Sequence, residues 1–485
     1  MPTTEPSYTS AVSDTPLLGD TIGANLERTV AAFGDRDAMV DLASGHRWTY
    51  AELNADVDLL ALGLRLLVSA LRHKASDYRA MVEQVRAGCS ALTDVVYVGE
   101  DSWTSLLNRG RGADRWVLTT RMAELSTDDP INIQYTSGTT GFPKGATLSH
   151  HNILNDGFFV GELVHYTQAD RICVPVPFYH CFGMVMGNLS ATSHGACMVI
   201  PAPSFEPAAT LRAVVEERCT SLYGVPTMFI AELGLADFSS YDLTSLRTGI
   251  MAGSPCPVEV MKRVVEQMHM AEVAISYGMT ETSPVSTMTR ADDDLARRTE
   301  TVGRTMPQLE TKIVGPATGL TLARGEPGEL CTRGYAVMLG YWDAPEQTAE
   351  AIDAARWMHT GDLATMDDEG YCSIVGRITD LVIRGGENVY PREVEEFLYP
   401  HPDIADVQVI GVPDEKYGEK LMAWIVPRPG AAPLTVEAVR EFCVGKVAHY
   451  KVPRYIHLVD GFPMTVTGKV RKVEMRARSA ELLGL

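Results

Sequence analysis

Between Thr136 and Lys144 the chain reads TSGTTGFPK: Thr136, Ser137, Gly138, Thr139, Thr140, Gly141, Phe142, Pro143 and Lys144. Glycines let successive backbone N–H groups turn toward one point, the hydroxyls add donors, and the lysine adds a charge. These are the ingredients of an anion cradle. The Walker spacing does not fit, because counting from Gly138 the second required glycine is Pro143. On its own the stretch also fits a solvated turn. Further along, SYGMTETSP offers the aromatic face of Tyr277, the hydroxyl of Thr280 and the carboxylate of Glu281. Glu281 could hold Mg²⁺, which favours oxygen ligands and bound phosphates; the same residues also fit an ordinary strand end and helix cap. HTGDLATMDDEGYCSIVGR carries Asp362, a possible acceptor for ribose hydroxyls, and Arg377. A hairpin with a surface ion pair is the plainer reading. Lys469 follows Gly468 in a polar loop, and His180 sits in the apolar run PFYHCFG.

These residues need a scaffold. In TYAELNADVDLLALGLRLL, Leu53, Val57, Leu60 and Leu64 fall on one helical face. DVVYVGE reads as a strand. From about residue 130, short apolar runs (RICVPVPF, ACMVIPA, CTSLYGVP) alternate with amphipathic stretches such as PAATLRAVVEER, which is α/β layering. ETKIVGPATGLTLARGEPGELCTRG then reads as short strands joined by Gly/Pro turns. After GRITDLVIRGGENVYPREVEEFLY the pattern restarts. Pro391 opens a helix, DVQVIGV and LMAWIVP read as strands, and TVEAVREFCVGKV reads as a helix. The fold class expected is α/β: a large N-terminal domain over 1–378, with layered α/β subdomains and a β-rich portion, and a small mobile α+β C-terminal domain over 379–485.

Composition narrows the partners. The chain has 485 residues and a formal charge of −20, which disfavours nucleic acid or an anionic membrane as the main partner. A local pocket can still receive a small anion. Nine cysteines without a C-x-x-C pair read as free thiols in a reducing compartment. The acidic N-terminus, whose first basic residue is Arg28, and the absence of a long apolar run lead us to expect a cytoplasmic protein without a transmembrane segment.

Taken together and in this order, YTSGTTGFPKG, YGMTE, TGD, GRITD and TGK resemble the adenylate-forming (AMP-binding) acyl-CoA synthetase superfamily, most closely its medium- and long-chain fatty acyl-CoA synthetases. The resemblance runs from about TYAEL to the C-terminus. It implies a fatty acid, ATP, Mg²⁺ and coenzyme A as reactants. A carboxylate would attack the α-phosphorus of ATP, and the acyl adenylate would then pass to the coenzyme A thiol. By family position, Thr136–Lys144 would hold the phosphates, and Gly253, Ser254 and Tyr277 would frame the adenine. Thr280 would touch the α-phosphate and acyl carboxylate, and Glu281 would hold Mg²⁺. Asp362 would accept from the ribose with help from Arg377, and Lys469 would bridge carboxylate and α-phosphate. His180 would lie near the acyl group. Arg384, Gly385 and Gly386 would line the pantetheine tunnel. Two alternatives stand beside it: a fatty acyl-AMP ligase serving a carrier protein, and a nucleotide-binding form with weak turnover.

The sequence departs from the family pattern twice. Relatives usually place Lys or Asp at the hinge position occupied here by Thr379, and a hinge needs permissive torsions more than a particular charge. Relatives also carry several tens of residues of strand–helix–strand between elements that here join directly near residues 65–66. No Gly, Pro, Asn or Asp lies between Gly63 and Asp77 to make the turn from helix to strand. An internal deletion is expected there.

Overall fold

The computed structural model describes residues 5–61, 66–73, 76–86, 88–89, 92–136, 144–254, 256–385, 387–428, 434–464 and 470–484. Six strands carry the candidate site: β1 (Thr248–Ala252), β2 (Glu272–Tyr277), β3 (Leu309–Val314), β4 (Gly328–Gly334), β5 (Met358–Met366) and β6 (Cys372–Arg377).

β2 and β1 belong to a nine-stranded sheet that continues through Ser221–Gly224, Arg171–Cys173, Cys197–Ile200 and Asp37–Asp41. All of these pair in parallel, and antiparallel strands close both edges. Every residue of β1 and of Ser221–Gly224 is buried, as parallel strands covered on both faces must be. Helices fill the crossovers, and local chemistry starts them. Pro207 and Pro226 open the helices Pro207–Glu217 and Pro226–Leu233, where a missing N–H costs nothing. Ser149 and Asn152 form a reciprocal capping box at the head of His150–Leu163.

β3, β4, β5 and β6 form an antiparallel sheet with Tyr8–Ser10 at its edge. Leu330, Ala364, Met366 and Cys372 from this sheet share one hydrophobic core with Val273 and Ile275 of β2. The two sheets are thereby fixed against each other. A third sheet pairs Pro130–Thr136, Lys144–Ser149 and Gly340–Tyr341. In the C-terminal part, helix Pro391–Leu398, the hairpin Ile404–Asp414/Gly418–Pro427 and helix Val436–Cys443 enclose a core that includes Val394, Leu398, Val407, Leu421, Ile425 and Val439.

Two local expectations are corrected. The helix Tyr50–Ala61 buries Tyr50 and packs Leu53 against Leu26 and Ala38, but Val57 is 43% exposed. The expected stripe is therefore not the buried one where described; Leu64 lies outside the described residues. The strand in RICVPVPF is only Arg171–Cys173. After it, Phe182–Leu189 forms a π-helix, a widened turn often found beside functional sites.

At the suspected junction, Leu66–Ser69 pairs in parallel with Asp94–Tyr97 as an isolated two-stranded sheet. Leu67 and Val68 are each more than a third exposed. Parallel pairs are normally covered on both faces, so this one is short of neighbours.

Candidate active site

β1 and β2 run side by side in the same direction, with Ala252 opposite Ser276. The residues that follow β1 and the last residue of β2 therefore emerge together at the carboxyl edge of the sheet, where ligands of open α/β sheets bind. Gly253 follows β1 with φ +90°, a conformation that side chains disfavour, and Ser254 comes next. Tyr277 ends β2, and Thr280 and Glu281 stand on the single 3₁₀ turn beyond it.

The antiparallel sheet brings in the acid. Asp362 on β5 is the register partner of Arg377 on β6. The Arg377 Nε–H donates to Asp362 Oδ1 at 2.8 Å, and the Tyr277 hydroxyl donates to Oδ2 at 2.8 Å. Asp362 is buried, whereas 54% of the Arg377 side chain remains exposed. Burial and the Asp362 charge both push the Tyr277 phenol up, so it stays a donor, and Asp362 holds the Arg377 guanidinium further up. The plainer hairpin ion pair is thus present, and the aromatic ring from another sheet is joined to it.

A second constellation surrounds Glu281. The Tyr341 hydroxyl donates to Glu281 Oε1 at 2.8 Å, and the Lys144 ammonium lies 4.9 Å from the centre of the Tyr341 ring. Tyr341 reaches this position because Gly340–Tyr341 pairs with Lys144–Ser149. Burial and the Glu281 charge push its phenol up. Lys144, at the exit of the glycine-rich loop, is thereby linked to the acidic residue through one aromatic ring. Ser137, Gly138, Thr139, Thr140, Gly141, Phe142, Pro143, Gly386 and Lys469 lie outside the described residues.

His180 precedes the π-helix, and its Nδ1 accepts from the Phe182 backbone N–H at 3.1 Å. Phe182 packs in a core with Tyr223, Val225, Met228 and Ala252, and Met279 packs in another with Val185. Both cores are apolar. Arg384 donates to the backbone carbonyl of Tyr450 at 2.6 Å and to that of Val452 at 3.2 Å, which commits its guanidinium within the C-terminal part. Gly385 has φ +63°, and a Cβ there would meet the Tyr417 ring at 3.2 Å. Thr379 is exposed in the 3₁₀ turn Ile378–Asp380, and Asp380 forms an ion pair with Arg476 of the last helix. Sequence reasoning missed Tyr341 and Glu396. Glu396 accepts from the backbone N–H of Val258, the first residue of the helix after Gly253–Ser254, and burial pushes its carboxyl up.

Comparison with known proteins fixes the class. The AMP-binding enzyme family profile matches residues 66–342, more than half of the chain, and the AMP-binding enzyme C-terminal domain matches 393–469. The chain belongs to the AMP-binding enzyme family. It is 53% identical over 368 residues to a Bacillus subtilis (strain 168) protein named as an acyl-CoA synthetase, YngI, covering 76% of this chain and 67% of that one. It is 39% identical to the mitochondrial medium-chain acyl-CoA ligase ACSF2 of Danio rerio, covering 100% of this chain and 92% of that one. That alignment spans 561 positions against a chain of 485 residues, so at least 76 positions have no counterpart here. The anthranilate CoA ligase AuaEII, solved with anthranoyl-AMP, shares the fold with a TM-score of 0.85 at 24% identity, over 97% of this chain and 99% of that one. No helix among the described residues is long and apolar enough to cross a membrane.

Proposed function

We propose that this chain is an AMP-forming acid–thiol ligase that activates a fatty acid with ATP and transfers the acyl group to coenzyme A. The observation that carries the reading is the meeting of Tyr277, Asp362 and Arg377 at the carboxyl edge of the main sheet, in a member of this family. Asp362 offers buried carboxylate oxygens to the ribose hydroxyls, and Arg377 and Tyr277 hold it in place. Gly253 and Ser254 lie against the adenine beside the Tyr277 ring. Thr136–Lys144 receives the phosphates. Mg²⁺ takes few protein ligands and keeps waters and phosphates, so the single carboxylate of Glu281, steadied by Tyr341, suits it.

In the first half-reaction an acyl carboxylate oxygen bonds to the α-phosphorus, and the bond to pyrophosphate breaks. AMP is a far better leaving group than oxide, so the carbonyl becomes reactive. The protein chiefly positions groups and neutralises charge, with Thr280 and Lys469 at the reacting oxygens. In the second half-reaction the coenzyme A sulfur bonds to the carbonyl carbon and AMP leaves. His180 holds the backbone N–H of Phe182, which packs with Tyr223 and Met228 in an apolar core, and this neighbourhood supports an aliphatic acyl chain. By family position Gly385 and Gly386 belong to the path of the pantetheine arm, while Arg384 serves to fix that loop. The two domains, 1–378 and 379–485, rotate about Thr379 between the half-reactions. Nine free thiols suit a reducing compartment such as the cytoplasm.

The test is a coupled assay for pyrophosphate and AMP over a panel of fatty acids, with and without coenzyme A. Thioester appearing with coenzyme A supports the reading. Acyl-AMP that accumulates and transfers only to a carrier protein would replace it with a fatty acyl-AMP ligase, and nucleotide binding without pyrophosphate release would leave a weak binder.

A further inference from the structure

Three antiparallel strands bring an unusual set of side chains into one row. Lys312 on β3 is the register partner of Cys331 on β4, and Cys331 is the register partner of His359 on β5. Glu329, two residues before Cys331, points to the same face. Glu329 Oε2 lies 2.8 Å from His359 Nδ1, and Cys331 Sγ lies 3.5 Å from that same nitrogen. One oxygen, one sulfur and one nitrogen donor thus lie within 4.8 Å of one another. A glutamate–histidine pair needs no third member. The thiol at the same nitrogen is what sets this cluster apart.

We propose that Glu329, Cys331 and His359 form a binding site for a thiophilic divalent cation of the zinc class, distinct from the magnesium–nucleotide centre. Zinc takes sulfur at about 2.3 Å and nitrogen or oxygen at about 2.0–2.2 Å, so tetrahedral donors stand roughly 3.4–3.6 Å apart. The sulfur–nitrogen separation already has that value. The glutamate–histidine contact opens by roughly 0.6 Å to admit the ion. The Sγ–H bond breaks, its electron pair goes to the metal, and the proton leaves to solvent. The Nδ1–H that donates to Glu329 is given up as the ring changes tautomer, its proton passing through solvent to Nε2, on the side where Asp353 Oδ2 lies 3.9 Å away. A carboxylate on the second ring nitrogen is the usual outer partner of a zinc-bound histidine. The His359 side chain is 30% exposed, which gives the ion an entry path and a position for water.

Hard cations are rejected here. A thiolate sulfur favours a soft ion, and Mg²⁺ prefers an all-oxygen shell that this mixed set does not supply. The Lys312 ammonium, from the register partner of Cys331, rests over the Trp357 ring at 4.3 Å.

The site has a consequence for its neighbour. Glu329 Oε1 accepts from the Gly361 backbone N–H at 3.0 Å, one residue before Asp362. An ion that draws Glu329 away from His359 shifts the anchor of the turn that presents Asp362. Zinc occupancy therefore weakens nucleotide binding. This second step rests on the proposed function, whereas metal binding does not.

The test uses the full chain, reduced and stripped with a chelator. Titration with Co²⁺ is expected to give a thiolate-to-cobalt charge-transfer band, and Zn²⁺ calorimetry one tight equivalent per chain, with Mg²⁺ giving neither. Cys331→Ser is expected to abolish the band and weaken Zn²⁺ at least about 100-fold, and Asp353→Asn to weaken it about tenfold. Cys89→Ser, which changes the exposed cysteine, leaves both unchanged. If Cys331→Ser fails to fold, His359→Gln carries the same expectation at a partly exposed position. A band that survives either variant, or no band, overturns the site. Zn²⁺ should also raise the Kd for ATP several-fold in the parent and not in Cys331→Ser. Tight Zn²⁺ binding with an unchanged Kd for ATP removes the coupling and leaves the metal site standing.

Discussion

Consider restoring the segment that a full-length relative carries, inserted between Arg65 and Leu66. The described structure leaves exposed a set of apolar side chains that such a segment is expected to cover. Leu67 and Val68 of the isolated strand pair, and Ile131, Ile133 and Tyr135 on one face of Pro130–Thr136, are between 36% and 69% exposed. Residues 131, 133 and 135 share that face because side chains alternate along a strand. Together these five leave exposed about as much as two whole apolar side chains. At roughly 1.5–3 kcal/mol per buried side chain, covering them is worth about 3–6 kcal/mol, an upper value because unfolded chains are partly compact. At about 2–4 °C per kcal/mol, the figure for domains of 150–250 residues, Tm should rise by about 6–24 °C. The assay is a thermal melt followed by circular dichroism, with light scattering to detect aggregation, on both chains with and without ATP–Mg²⁺. Nucleotide that binds only the folded form adds about 2.7 kcal/mol at 100 times its Kd, so it should lift the present chain as well. Equal melting temperatures and equal turnover in the two chains would refute the deletion reading of this junction.

Other perturbations separate the parts of the site. Asp362→Asn removes the charge that Tyr277 and Arg377 share, and should weaken ATP binding at least about tenfold, read by calorimetry, while costing about 1–2 kcal/mol in a melt because Arg377 can turn to water. Tyr341→Phe deletes the hydroxyl on Glu281 Oε1 and should raise the Mg²⁺ concentration needed for half-maximal pyrophosphate release, leaving the unfolding free energy within about 1 kcal/mol; an unchanged Mg²⁺ dependence would argue that Glu281 does not hold the ion. Lys469→Ala should stop pyrophosphate release yet still convert supplied acyl-AMP and coenzyme A to thioester, whereas Gly386→Leu should do the reverse; equal losses in both steps would sink the domain-rotation assignment. Glu232 is buried with neither carboxylate oxygen hydrogen-bonded, and burial pushes its pKa well above 4.5. The folded state thus binds a proton that the unfolded state releases, so stability is full below about pH 4.5 and falls as pH rises from there toward the folded pKa. Glu232→Gln should flatten the decline in Tm between pH 5 and pH 8, and an identical pH profile would show that the group is not a source of it.

The described contacts around Asp362 were legible because the residues that make them sit in short runs whose chemistry is local. Asp362 and Arg377 are only 15 positions apart, and the turn between them forms one hairpin, so their pairing follows from strand register. Tyr277 was legible for the same reason, as the aromatic end of an apolar strand. Tyr341 was not, because its meeting with Glu281 and Lys144 depends on a short strand pairing with a partner almost 200 positions earlier. Glu396 was hidden likewise, since its acceptor role requires the C-terminal part to lie against the helix that begins at Val258. Val57 misled the periodicity because a helical stripe records which residues are apolar, not whether anything remains to cover them. The π-helix at Phe182–Leu189 left no mark in the apolar pattern, because one extra residue per turn changes hydrogen bonding without changing composition.

The pairing of Asp362 with Arg377 has one more consequence. The 3₁₀ turn proposed as the hinge begins at Ile378, the residue after Arg377, so the strand that steadies the proposed ribose acceptor is also the strand that leads the chain into the proposed pivot. Thermodynamic reciprocity then ties two quantities that are usually measured apart. Whatever factor ATP applies to the equilibrium between domain orientations, domain orientation must apply to the affinity for ATP. For a coupling of about 1–3 kcal/mol that factor is roughly 5–150. A chain held in one orientation by a cross-link between the domains would thus report the position of the pivot through nothing more than its nucleotide Kd.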